Sequence, residues 1–135
     1  MDERTFLTGI ADRLGCDMRR AEGITFAVFG ELRDRLSPEE RRDVRAQLPM
    51  PLKRLWEAGD RADRPANKVQ RDEFIGRVRQ RAVLLGDDEA ELAVRAVFAQ
   101  LQRLLGSATG TDGEAGDVYS QLPKDLKRLW LDAAR

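Results

Sequence analysis

The chain has 135 residues, with 24 basic and 24 acidic side chains and a formal net charge of zero. Hydrophobic residues make up 41% and charged residues 36%, a balance that excludes disorder, which needs few apolar residues and a large net charge. Histidine is absent and Cys16 is alone. That excludes His-dependent catalytic triads, His metal ligands, an intramolecular disulfide and a thiolate metal cluster.

The opening "MDERTFLTGIADRL" is charged and lacks the apolar run of a secretory signal. No stretch approaches the roughly 20 apolar residues that span a bilayer. The expectation is a cytoplasmic, bacterial-type protein with no membrane contact, no cofactor and no metal. The neutral balance also argues against nucleic acid as a partner, because such proteins usually carry a basic excess.

Apolar spacing is helical from end to end. Phe6, Leu7, Ile10 and Leu14 form one stripe of a first helix, which Gly15 ends, and Asp17 caps the next. Met18, Ala21, Thr25, Val28, Phe29, Leu32 and Leu36 step by threes and fours and predict one face of a second helix. "SPEE", Ser37 to Glu40, is a helix start: Ser37 caps, Pro38 fits the first turn, and the two acids oppose the positive dipole end. This third helix runs to about Ala46, since Pro49 disfavours helical geometry at Leu48. Pro49 opens a fourth helix with Leu52, Leu55 and Trp56 inside, closed by Gly59. "GDRADRPANKVQ" then reads as a linker. Phe74, Ile75, Val78, Ala82 and Leu85 predict a fifth helix, with Gly86 as its stop and Asp87 as the next cap. A sixth carries Ala90, Val94, Val97, Phe98, Leu101, Leu104 and Leu105 inward. "GSATGTDGEAG", Gly106 to Gly116, reads as a flexible loop with a weak helix start at Thr111 or Asp112. Val118, Tyr119 and Leu122 belong to a short seventh helix and its corner, and Pro123 begins an eighth with Leu126, Leu129 and Trp130 inside.

The pattern occurs twice. "QLPMPLKRLWE" from Gln47 returns as "QLPKDLKRLWL" from Gln121, an offset of 74 residues. "AEGITFAVFGEL" from Ala21 matches "AELAVRAVFAQL" from Ala90 at an offset of 69, and Phe6 matches Phe74 at 68. The offset changes at turns and in the glycine-rich loop, where few backbone bonds are at stake. The expected architecture is all-α: a tandem duplication of a four-helix unit, about eight helices, packed as one pseudo-twofold bundle. Residues 1–58 form the first repeat, 59–71 the linker and 72–135 the second. Units of about sixty residues are marginal alone, so the halves are expected to share a core.

"AVRAVFAQL", "DVYSQLPKDLKRLW" and "SPEERRDVRAQLPMPLKRLW" resemble a family of bacterial two-repeat helical proteins known as domain of unknown function 2267. The resemblance runs from about Phe6 to Trp130, with Asp-Val followed by Gln-Leu-Pro as its most specific part. It implies a small cytoplasmic all-α protein and brings no activity, substrate or catalytic residue.

Two features stand out as candidate sites. Gln47, Leu48, Pro49 and Gln121, Leu122, Pro123 predict structural corners, in which each glutamine bonds a loose backbone group, each leucine plugs the core and each proline starts a helix. Lys53, Arg54 and Trp56, with Lys127, Arg128 and Trp130, form a candidate interaction surface for an acidic partner, since Trp and Arg dominate binding hot spots. The plainer reading is a core tryptophan beside a solvated basic edge. Arg41, Arg42 and Arg45 could grip phosphate but sit among Glu39, Glu40 and Asp43, a pattern that suits a mixed-charge face. "GDDEAE" lacks EF-hand spacing, and the glycine-rich loop lacks the Walker lysine. Cys16 reads as a packing residue. No catalytic constellation is visible. The expected role is therefore a non-enzymatic protein–protein interaction or scaffold module, bound to another protein or to itself. The alternatives are an Arg-rich nucleic-acid-binding or regulatory module and, last, an enzyme using carboxylates and arginine.

Overall fold

The computed structural model describes residues 1–60 and 65–135, and among these every regular element is an α-helix. They are α1 (Glu3–Leu14), α2 (Met18–Asp34), α3 (Pro38–Gln47), α4 (Met50–Glu57), α5 (Arg71–Ala82), α6 (Asp87–Leu104), α7 (Gly113–Gln121) and α8 (Lys124–Ala133). Three starts follow the sequence rules: the side chains of Asp2, Asp17 and Ser37 accept from Thr5, Arg20 and Glu40 N–H at 2.8, 2.7 and 3.2 Å. Gly15 ends α1 in the left-handed region, at φ 64°, a backbone conformation strained for residues that carry a Cβ.

Phe6, Phe29 and Trp56 stack in series, with ring centroids 5.8 and 5.3 Å apart. Phe74, Phe98 and Trp130 do the same at 6.0 and 5.0 Å. All six rings are buried, and the apolar residues of both halves form one continuous cluster. The long helices α2 and α6 are the spine. α1 lies against α2 and crosses to α6; α5 lies against α6 and crosses to α2. α4 covers α2, α8 covers α6, and the short helices α3 and α7 meet each other. Burial of an aromatic or large aliphatic side chain is worth about 1.5–3 kcal/mol, so these ladders dominate the core energetics.

Four local expectations fail for identifiable reasons. Leu85, expected on the inner face of α5, is 97% exposed, because Val83 turns left-handed (φ 54°), ends the helix and swings Leu84 inward instead. Asp87 does not cap α6. Gly86 holds the cap position without a side-chain bond, and Glu89 Oε2 reaches back to accept from Leu85 N–H at 3.1 Å. Met18 lies at the edge of its stripe, largely out of the core, with Sδ accepting from Thr8 Oγ1 at 3.7 Å. The glycine-rich segment is not loose. Ser107 is buried, donates to Asp112 and accepts from Gly110 N–H at 2.8 Å. Gly110 sits at φ 78°, where an added Cβ would come within 2.9 Å of Gln102 and Trp130.

Residues 61–64 of the expected 59–71 linker lie outside the described residues. The rest of it is tied to the bundle. Asn67 N–H donates to Asp34 O at 2.8 Å, Lys68 Nζ donates to Arg35 O at 2.8 Å and Gln121 O at 2.5 Å, and Val69 is buried. Composition marked this stretch as polar, but a polar segment can still dock when buried carbonyls need donors.

Candidate functional site

The Gln-Leu-Pro corners use their parts unequally. Leu48 and Leu122 are buried, and Pro49 and Pro123 hold the cap positions of α4 and α8. Gln121 Oε1 accepts from Ser37 N–H at 2.8 Å and its Nε2 donates to Ser37 Oγ at 3.3 Å, so it fastens α7 to the start of α3. Gln47 is exposed and makes no such bond among the described residues. The matching partner is missing because α7 begins from the longer glycine-rich loop rather than from a Ser-Pro cap.

The basic-aromatic surface needs correction. Trp56 and Trp130 are 1% and 0% exposed, so neither ring is available to a partner. Trp56 Nε1 donates to Arg41 O at 3.1 Å and Trp130 Nε1 to Gly110 O at 2.7 Å, which satisfies the one polar atom each ring buries. Outside them Arg54 and Arg128 are exposed and Lys53 and Lys127 half-buried, with Lys127 Nζ 5.3 Å from the Tyr119 ring centroid. These cations remain a charged edge without the tryptophan anchors. The Arg41–Arg42–Arg45 group does not assemble either. Arg41 is buried, its Nε donating to the carbonyls of Arg33 and Leu36 at 3.0 Å each, and Arg45 pairs with Glu57 at 2.5 Å.

The surface feature that sequence patterning missed is a cleft of about 350 Å³ where the ends of α1 and α8, the start of α2 and one face of α6 converge. Its apolar wall includes Ile24, Leu84, Leu92 and Ala96; Arg13 and Arg20 stand at its edge. Arg20 donates to the carbonyls of Ala82 and Val83 at 2.9 and 3.2 Å, joining α2 to the end of α5. Arg95 on the same wall is held by Glu91 (3.5 Å) and Asp132 (3.9 Å). Cys16 also faces the cleft. Burial, and next the charge of Asp17, push its thiol up, which disfavours the thiolate. Leu92 gave a signal in the sequence, as an apolar residue off the inner stripe of α6.

A second group was also missed. Glu40 and Asp43 on α3 face Glu114 on α7, with Asp117 one turn further along. The sign was present in "ERRDVRAQLP" and "EAGDVYSQLP", which share Glu-x-x-Asp-Val-x-x-Gln-Leu-Pro at an offset of 74. In the first copy arginines camouflage the acids as a mixed-charge face.

Fold and surface together define a small all-helical protein whose two halves interlock through a common core. The chain belongs to the family of uncharacterised conserved proteins DUF2267, whose model matches residues 3–129. No curated protein matches it. Among the described residues, no helix is long and apolar enough to cross a membrane.

Proposed function

We propose that the protein is a non-enzymatic protein-interaction module that receives an acidic amphipathic segment in the cleft at α6. Leu92 carries this reading: it lines the cleft and folding leaves it 59% exposed, as apolar surface in a binding groove is. Val83 and Leu85, on either side of Leu84 in the turn, are 79% and 97% exposed. The charge at the edge favours an acidic occupant, since Arg13 and Arg20 make no ion pair among the described residues and Arg20 is engaged only by neutral carbonyls. A partner helix would lay leucine-like anchors on Leu92 and acids on the arginines. Another protein or a second copy of this chain could supply that segment.

A titration of the isotope-labelled chain with an acidic amphipathic helical peptide tests the proposal, alongside sedimentation equilibrium. Shifts clustered at Leu84, Leu92 and Arg20, weakened by salt and lost in Leu92→Glu, are expected. A strictly monomeric chain with scattered or absent shifts would defeat it.

The two halves are read as duplicated copies of one four-helix unit related by a pseudo-twofold. The matched Phe–Phe–Trp ladders support this, as does the reciprocal crossing of α1 onto α6 and α5 onto α2. So do Arg33 and Gln102, which stand 69 residues apart and each donate to the backbone carbonyl of their own half's tryptophan, at 2.7 and 2.9 Å.

A further inference from the structure

The meeting of α3 and α7 gathers acids from both halves at one spot. Glu40 and Asp43 are three residues apart on α3, and Glu114 and Asp117 three apart on α7, so each pair shares a helix face. One carboxylate oxygen each from Glu40, Asp43 and Glu114 lies within 4.8 Å of the other two. Glu40 is 5% exposed and its Oε2 is buried without a hydrogen-bond partner; Oε2 of Glu114 is buried and unpartnered as well. Elsewhere the chain matches its buried charges, as with Arg35 and Glu31 at 3.5 Å. Here none of the four acids has an ion pair among the described residues. Leaving buried acceptors unmade costs about 1–3 kcal/mol each, and more when they are charged.

Burial first, then Glu114, push Glu40 up to about 9. A proton can bridge one pair of oxygens. Three converging oxygens call for a larger cation. We infer that Glu40, Asp43 and Glu114 are the protein ligands of a hard divalent cation that clasps the two halves together. An all-oxygen donor set selects Ca²⁺, Mn²⁺ or Mg²⁺ over softer metals. Two oxygens bound to one Ca²⁺ at about 2.4 Å stand at most about 4.8 Å apart, and all three pairs here fall within that limit. Binding bonds the three carboxylates to the ion, and no electrons move.

The full chain, stripped with chelator, is titrated by calorimetry with Ca²⁺, Mn²⁺ and Mg²⁺ separately, in two buffers of different ionisation enthalpy. A single site for at least one ion is expected, with affinity falling as pH falls because protons compete for the carboxylates. Glu40→Gln and Asp43→Asn should each weaken it at least about tenfold, the loss typical even of groups one shell further out. Asp88→Asn, in the acidic first turn of α6, should leave it unchanged. Asp43 is exposed, so its variant tests the ligand without disturbing the core, and metal-free unfolding curves confirm that Glu40→Gln folds. Absence of binding at millimolar concentration of every ion overturns the inference. So does binding that all three variants retain, which marks an adventitious ion only.

Discussion

The first half of the molecule uses charge where the second half, at the corresponding position, uses a neutral amide. Arg33 reaches the Trp56 carbonyl with Asp34 and Asp60 beside its guanidinium, at 3.6 and 3.4 Å, while Gln102 reaches the Trp130 carbonyl alone. Glu31 sits between Arg35 and Arg81 where α2 meets α5; 69 residues later Gln100 donates to Phe6 O where α6 meets α1, at 3.1 Å. The backbone demand is the same in both halves: a carbonyl near a helix crossing needs a donor, or a crossing needs a polar filler. An amide meets it with few dependants. An arginine meets it only if acids follow it into the core, because a buried charge is tolerated only when paired. The halves therefore share a shape but should respond differently to mutation, salt and pH.

Truncating the tryptophans would test the shared part. Trp56→Ala and Trp130→Ala should each cost about 3–5 kcal/mol by denaturant unfolding, and a large disparity would mean one ladder is peripheral. The charged crossing should separate the halves most clearly. Glu31→Ala removes the carboxylate 3.5 Å from the buried Arg35 and should cost about 3–5 kcal/mol, whereas Gln100→Ala should cost about 1 kcal/mol. Equal losses would erase the distinction.

Acidity offers a finer probe. Glu40 titrates near 9 in the folded chain and near the ordinary 4.5 when unfolded. Between those values the folded state binds the extra proton, so stability is full below about pH 4.5 and declines as pH rises toward 9. Glu40→Gln should flatten that decline in metal-free buffer, a difference on the order of a few kcal/mol by the upper end. The smallest effect concerns the corners. Gln121→Ala should cost about 1 kcal/mol through the lost Ser37 bonds, and Gln47→Ala close to nothing.

Much of the fold was legible locally. The stripes through Phe6, Phe29, Phe74 and Phe98, the caps at Asp17 and Ser37, and the proline starts all depend on neighbours within a turn or two, which periodicity reads well. Leu85 failed because the left-handed turn at Val83 has no glycine to announce it. The tryptophan edges illustrate a different limit. The i+4 spacing of Leu52 and Trp56 puts the ring on the apolar stripe, but whether a partner or the protein's own core covers that stripe is decided by how α4 seats on α2.

The sequence by itself determined the amphipathic helices, about eight of them, and their order, because each follows from side-chain spacing along a single helix. Only the tertiary structure decided that α1 crosses to α6 and α5 to α2, that Leu92 stays uncovered, and that Glu40 and Glu114 face one another. Those outcomes depend on how two helices far apart in the chain approach, and on which charges that approach strips of water. Periodicity along one helix contains no record of either.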